Sequence, residues 1–100
     1  MNKKILDDAF KLVRASYNDT SREKARDQLL EIYSSKAQEN ILEAFSKACD
    51  LADSCYHFGD KCRDKIISED EALTQMEKEF PGFSKATYKN ALGYGYFISR

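Results

Sequence analysis

The residues most able to do chemistry lie near the middle of the chain, where three cysteines and the only histidine occur within a short stretch. They are Cys49, Cys55, His57 and Cys62. Sulfur and imidazole are zinc ligands, but structural zinc sites usually place cysteines in pairs with about two to four residues between them. Here five and six residues intervene, and this spacing favours small, buried hydrophobic side chains. We therefore predict no metal site and no cofactor.

His57 is also the centre of a candidate acid–base group. Asp53 and Asp60 lie about one helical turn to either side of it, so on a helix the three side chains share one face. Such a trio could hold a divalent ion or transfer a proton. No nucleophile–base arrangement accompanies it, and a surface histidine beside aspartates is the simpler interpretation. We expect a protein that is not an enzyme and has no small-molecule substrate.

Residues 70–92 have the spacing of two short helices around a tight turn. Met76 closes the first apolar pattern, Pro81-Gly82 interrupts, and Phe83 precedes a serine that can start the second helix. This segment resembles the helix-turn-helix of winged-helix bacterial regulators of the ferric-uptake-regulator type, although Tyr88 replaces a small aliphatic residue of that pattern. The resemblance implies DNA binding as an alternative function. The residues that would then face DNA are Ser84, Lys85, Thr87, Lys89 and Asn90.

The same end of the chain is strongly aromatic. Successive helical residues are offset by about 100°, so Tyr94, Tyr96 and Phe97 cannot all point toward one core. Exposed aromatic side chains are typical of protein–protein interfaces, where tyrosine is enriched. We predict an interaction surface formed by Tyr94, Tyr96, Phe97 and Arg100. Packing of these aromatics against another helix is the alternative.

Composition fits one globular domain over residues 1–100, with 42% hydrophobic and 33% charged residues. No apolar run approaches the ~18 residues of a membrane span, and the acidic pair Asp7-Asp8 interrupts any secretory signal near the start. An odd number of cysteines favours a reducing compartment. We therefore expect a cytoplasmic protein without a membrane partner, and its size and composition favour a bacterial or phage-borne origin.

Charge is balanced overall but uneven along the chain. Sixteen basic residues oppose seventeen acidic ones, giving a net charge of −1. Residues 81–100 contain Lys85, Lys89 and Arg100 and no acid, so +3 there leaves −4 for residues 1–80. A dedicated nucleic-acid binder usually has a clear basic excess. A protein partner that the chain regulates or inhibits, or a second copy of the chain, is therefore favoured over nucleic acid. A second candidate contact is the acidic face Asp50, Asp53, Asp60 and Asp64.

Apolar residues recur every three or four positions and β-branched residues are scarce, which predicts an all-α bundle of about five helices. Three capping boxes are predicted to mark helix starts, at Thr20/Glu23, Ser35/Gln38 and Ser68/Glu71, and Ser84 is predicted to cap the last helix. The predicted helices cover residues 3–17, from 20 to about 33, 36–67, 69–80 and from 84 toward 98.

The third helix is predicted to be central. Its apolar register runs from Ile41 to Cys62 without a charge, and Ile66 continues it, which gives a helix from about residue 36 to about residue 67. A second apolar line beside the first consists of Leu42, Cys49 and Tyr56. Because so wide an apolar arc needs cover on several sides, the helix should be either the centre of the bundle or part of a dimer seam. The apolar register continues past Gly59, so the spacing does not decide between a straight helix and a local kink there.

Overall fold

Five α-helices follow one another in the computed structural model, which describes residues 2–99. They are α1 (Lys3–Ala15), α2 (Asp19–Ile32), α3 (Gln38–Arg63), α4 (Glu69–Glu79) and α5 (Lys85–Ile98). No strand occurs within the described residues, so the predicted all-α class with five helices is confirmed. Of these helices, none has the combined length and hydropathy needed to cross a bilayer.

Contacts between named residues give the directions of the helices. Asp7, early in α1, accepts from the amide of Ser84 at the N-cap of α5. Arg14, late in α1, lies over the ring of Tyr94, late in α5. Likewise, the end of α3 lies beside the end of α5, because the Arg63 guanidinium donates to Ser99 Oγ. Helices α1, α3 and α5 therefore run in one direction, and α2 and α4 return between them.

Helix α3 is the central helix, as predicted, because it contacts all four of the others. At 1.5 Å per residue its 26 residues extend over ~39 Å, close to the 44 Å longest dimension of the molecule. Its buried side is lined by small and apolar residues, namely Ile41, Ala44, Ala48, Leu51, Ala52, Cys55, Phe58, Gly59 and Cys62. They join one continuous core with buried residues of the other four helices.

The predicted extent of α3, residues 36–67, is too long at both ends. The amide of Lys36 donates to Tyr33 O at 2.9 Å, which closes a turn after α2, and Ala37 takes the N-cap position instead of Ser35. At the other end Lys65 adopts a left-handed conformation with φ of 58°. The amide of Ile66 then bonds back to Lys61 O at 2.9 Å, so the helix ends in a Schellman motif.

The capping predictions for the other helices are partly correct. Ser68 and Glu71 form the predicted capping box of α4, and Ser84 caps α5. The box that starts α2 is wrong in its residues, because Asn18 and Ser21 form it rather than Thr20 and Glu23. α1 also ends at Ala15, short of the predicted residue 17.

Gly59 lies inside the continuous helix α3 and faces Gly95 of α5. A Cβ atom on Gly59 would lie 2.6 Å from the backbone nitrogen of Tyr96, and one on Gly95 would lie 2.9 Å from the carbonyl carbon of Cys55. These separations are shorter than any normal contact, so both glycines serve the close crossing of the two helices.

Candidate interaction surface

The residues predicted to form one C-terminal surface lie on different sides of α5. Tyr94 packs on the α1 side, where the Arg14 guanidinium lies 5.6 Å from its ring centre. Tyr96 points toward α4, and its hydroxyl donates to Glu69 Oε1 at 3.2 Å. Phe97 is 62% exposed, and Arg100 lies outside the described residues. Tyr94 and Tyr96 therefore lie on different sides of α5.

Two of the residues predicted to face DNA serve the fold instead. Thr87 is buried, and its amide donates to Ser84 Oγ at 3.2 Å in the N-cap of α5. The Ser84 amide itself donates to Asp7 Oδ1 of α1 at 3.0 Å. Both residues therefore take part in the start of α5, Thr87 from a buried position and Ser84 from a half-buried one. Lys85, Lys89 and Asn90 remain exposed.

Tyr88 holds the turn between α4 and α5. Its hydroxyl donates to the carbonyl oxygen of Phe80 and accepts from the amide of Phe83 at 3.3 Å. The ring is buried and meets Phe83 edge-to-face, with 5.8 Å between ring centres. Burial raises the pKa of the Tyr88 hydroxyl. The Tyr88 hydroxyl thus connects both ends of this turn.

A groove runs between α4 and α5 along most of their length. Its two halves share Asp70, Leu73 and Lys89, so they form one continuous depression, here called the α4–α5 groove. The floor is apolar and aromatic and consists of Leu73, Tyr88, Leu92 and Tyr96; the banks carry Glu69, Asp70, Thr74, Glu77, Lys85 and Lys89.

The two banks of the α4–α5 groove have opposite charge. The α4 bank is acidic, through Glu69, Asp70 and Glu77, whereas the α5 bank is basic, through Lys85 and Lys89. Among residues 2–99, none of these five forms an ion pair within 4 Å. Their charges are therefore available to groups that enter the groove.

Tyr96 marks the end of the α4–α5 groove at which α3 also ends. Burial, together with Cys62 and the carboxylate of Glu69, raises the pKa of its hydroxyl from 10.0 to about 12. A neighbouring depression that shares Glu69 and Tyr96 is lined by Ile66, which is 67% exposed. Phe97 follows Tyr96 on α5. The largely exposed side chain of Ile66 therefore lies near this end of the groove, and Phe97 stands on the last turn of α5.

Gly93 leaves a gap in the groove beside Leu92 and Tyr96. A Cβ atom added there would meet no atom within 4 Å. The fold itself therefore does not require a glycine at this position, in contrast to Gly59 and Gly95.

Cys49, Cys55, His57 and Cys62 lie in different environments, with Cys55 and Cys62 buried, Cys49 half-buried and His57 exposed. Within the part of the chain that the structure describes, no three His, Cys, Asp or Glu side chains are arranged to hold an ion. Asp53 accepts from the Arg22 guanidinium at 2.7 Å, and His57 instead lies edge-on to Tyr56. Cys55 and Cys62 are buried thiols, as their spacing predicted, and burial raises the pKa of Cys55 to about 12.

The second apolar line of α3 forms no continuous face. Leu42 and Tyr56 are 36% and 46% exposed, while Cys49 between them is half-buried. The Arg22–Asp53 ion pair joins α2 to this side of α3. Asp53 is also one of the four residues of the acidic face predicted on α3, and its ion pair with Arg22 offsets part of the negative charge of that face.

Sequence reasoning missed the α4–α5 groove, although two signals were present. Leu73 fits the apolar spacing of α4, but it is only half-buried and forms the groove floor. Gly93 occurs inside a helix without a capping or turn role, which is costly unless something approaches it. The sequence alone does not show which side of α5 faces α4.

Comparison of the chain with models of protein families, with curated proteins and with solved structures finds no match.

Proposed function

We propose that the chain is a non-enzymatic interaction module that binds a protein partner through its C-terminal face. This face, so named from here on, comprises the α4–α5 groove together with Ile66 and Phe97. One observation carries the proposal: an apolar floor with charges of opposite sign on its two banks, none of them in an ion pair within residues 2–99, adjoined by the exposed Ile66, with the exposed Phe97 on the last turn of the same α5.

Single exposed apolar residues are common on soluble proteins and need no explanation. Here Ile66 adjoins a groove that already has an apolar floor, and Phe97 lies on the last turn of one of its two helices. Covering apolar surface contributes about 25 cal/mol per Å², and interfaces gather aromatic anchors at their centre and polar groups at their rim. Phe97 and Ile66 would act as anchors, and the charged banks as the rim.

Photocrosslinking tests this proposal. A benzophenone amino acid replaces Phe97 or Ile66 in separate variants, and a matched control carries it at Gln28, which is exposed on α2. We expect one and the same protein to be captured from positions 97 and 66 but not from position 28. The purified partner should then bind the unmodified chain directly, with affinity reduced about tenfold, or ~1.4 kcal/mol, by Phe97→Ala.

Capture of the same proteins from position 28, or a purified partner that binds the Phe97→Ala variant unchanged, contradicts the proposal. An adduct between two copies of the chain would identify the partner as a second copy.

DNA binding through α4 and α5 is the second candidate function. The observation in its favour is that Lys85, Lys89 and Asn90 are all exposed on α5. The acidic α4 bank opposes it, because Asp70 and Glu77 line the same groove as the two lysines and would repel a phosphate backbone.

Fluorescence anisotropy with a labelled random duplex at low salt separates the two functions. The DNA-binding function requires an affinity that falls steeply with added salt and is lost in a Lys85→Glu/Lys89→Glu variant. A Lys3→Glu/Lys24→Glu variant has the same net charge and is the control. We expect no difference between the two double variants, since the preferred ligand is a protein.

A further inference from the structure

We infer that the α4–α5 groove receives an amphipathic α-helix of a partner protein, with a basic flank against α4 and an acidic flank against α5. This inference rests on the proposed function and specifies the chemistry of the partner. Three features carry it: the separated charges of the banks, the helical nature of both walls, and the gap at Gly93.

Charge complementarity defines the flanks of the partner. Asp70 and Glu77 stand on the α4 bank, seven residues apart, and thus about two helical turns from each other. Lys85 and Lys89 stand on the α5 bank, one turn apart. A helix with Lys or Arg on one flank and Asp or Glu on the other would pair with both banks at once.

Both walls of the groove favour a helix over an extended peptide. Backbone N–H and C=O groups within α4 and α5 are satisfied inside their own helices, so they offer few partners to a second backbone. An extended segment would bury its own amides without hydrogen bonds, which is costly. A helix satisfies its backbone internally and contacts the floor through side chains alone.

The dimensions suit a short helix. At 1.5 Å per residue, the 11 residues of α4 extend over ~16 Å, which three turns of a partner helix would cover. Apolar partner residues spaced three and four apart would then rest on the floor between Leu73 and Leu92.

The gap at Gly93 brings the partner close to α5. A glycine in a helix interior costs about 1 kcal/mol relative to alanine, and nothing in the described chain occupies the space that a side chain would fill. The missing Cβ lets a facing helix or one of its larger side chains approach the α5 backbone. Gly93→Ala should accordingly raise the midpoint of urea unfolding and weaken partner binding at the same time.

A display library of helix-biased 18-residue peptides provides the experiment. Peptides are selected on the wild-type chain after depletion on a Gly93→Leu variant, which closes the gap with a strong helix former. We expect enriched peptides with apolar residues spaced three and four apart, basic residues on one flank and acidic residues on the other.

The binding of individual selected peptides is then compared between variants inside the groove and a variant elsewhere on α5. Binding should weaken about tenfold or more in Gly93→Leu and change less than about twofold in Asn90→Leu, since Asn90 lies outside the groove. Lys89→Glu should weaken binding similarly, and a peptide whose facing acid is changed to lysine should restore it. Urea unfolding of each variant verifies that the fold is retained.

Several outcomes overturn the inference. They are a library with no enrichment, enriched peptides without helical periodicity, equal effects of Gly93→Leu and Asn90→Leu, or no rescue of Lys89→Glu. A molar mass in solution that doubles for the wild type but not for Gly93→Leu would identify a second copy as the occupant and also overturn it. Because capture at Phe97 and Ile66 is independent of peptide helicity, the proposed function can survive any of these results.

Discussion

Gly59 of α3 and Gly95 of α5 face each other at the crossing of the two helices. A Cβ atom on either glycine would lie too close to the backbone of the opposite helix. Gly59→Ala or Gly95→Ala should therefore destabilise the protein by about 1–3 kcal/mol, since helix backbones cannot move aside as flexible side chains can. The midpoint of urea unfolding measures this effect. Gly93→Ala is the matched control, and it should have the opposite sign. Equal stabilisation by all three substitutions would contradict the close crossing.

Tyr88→Phe should destabilise the protein by about 1–3 kcal/mol, although the ring is retained. The substitution leaves the carbonyl of Phe80 and the amide of Phe83 without the hydroxyl that bonds both, and unsatisfied buried polar groups are costly. Urea unfolding at neutral pH measures the loss. Tyr17→Phe is a matched control, because Tyr17 is 87% exposed and its substitution should change stability little. A Tyr88→Phe variant as stable as this control would show that the turn does not need the hydroxyl.

The three thiols should differ in reactivity. Cys49 is half-buried, whereas Cys55 and Cys62 lie in the core. Burial raises the pKa of both Cys49 and Cys55, in the latter case to about 12, so little thiolate is available at neutral pH. With an alkylating reagent followed by mass spectrometry, we expect Cys49 to react first and slowly, and Cys55 and Cys62 only after unfolding. Cys49→Ser should remove the native reaction. Rapid native labelling of Cys55 would show that the core opens readily.

Stability should fall at alkaline pH partly through Tyr33. Its hydroxyl donates to Asp8 Oδ2, and burial together with this carboxylate raises the pKa of Tyr33 from 10.0 to about 12. The unfolded chain loses this proton at lower pH than the folded one. The stabilising contribution is therefore complete below about pH 10 and is lost as pH rises toward about 12.

Urea unfolding at several pH values in this window tests the Tyr33 prediction. A Tyr33→Phe variant should be less stable than the wild type at neutral pH, and its stability should decline less steeply above about pH 10. Identical slopes for the two proteins would exclude Tyr33 as a contributor.

The helices could be predicted from the sequence because the determinants are local. Apolar spacing identified five helices and the central position of α3, and Ser68 with Glu71 marked the start of α4. The end of α3 was missed because its Schellman motif uses Lys65 in a left-handed conformation, where glycine is usual. Ile66 then keeps the apolar spacing although it lies outside the helix.

The surface was harder to predict because it depends on how helices face one another. The offset of Tyr94, Tyr96 and Phe97 indicated that not all could be buried, and Phe97 is indeed largely exposed. Spacing could not show that Tyr94 lies against Arg14 or that Tyr96 reaches Glu69. The α4–α5 groove arises from the antiparallel return of α4 beside α5, a long-range relation that neither helix encodes alone.

The shared direction of α1, α3 and α5 has a practical consequence for handling the protein. Asn2 lies beside Lys36 and Asn40, where α3 begins, whereas Ser99 is bonded to Arg63, where α3 ends. A biotin, dye or sensor-chip linker joined at Asn2 would sit most of the 44 Å molecular length away from Ile66 and Phe97. Immobilised through Asn2, the molecule would leave the end that carries Ile66 and Phe97 exposed to solution, where a partner could bind.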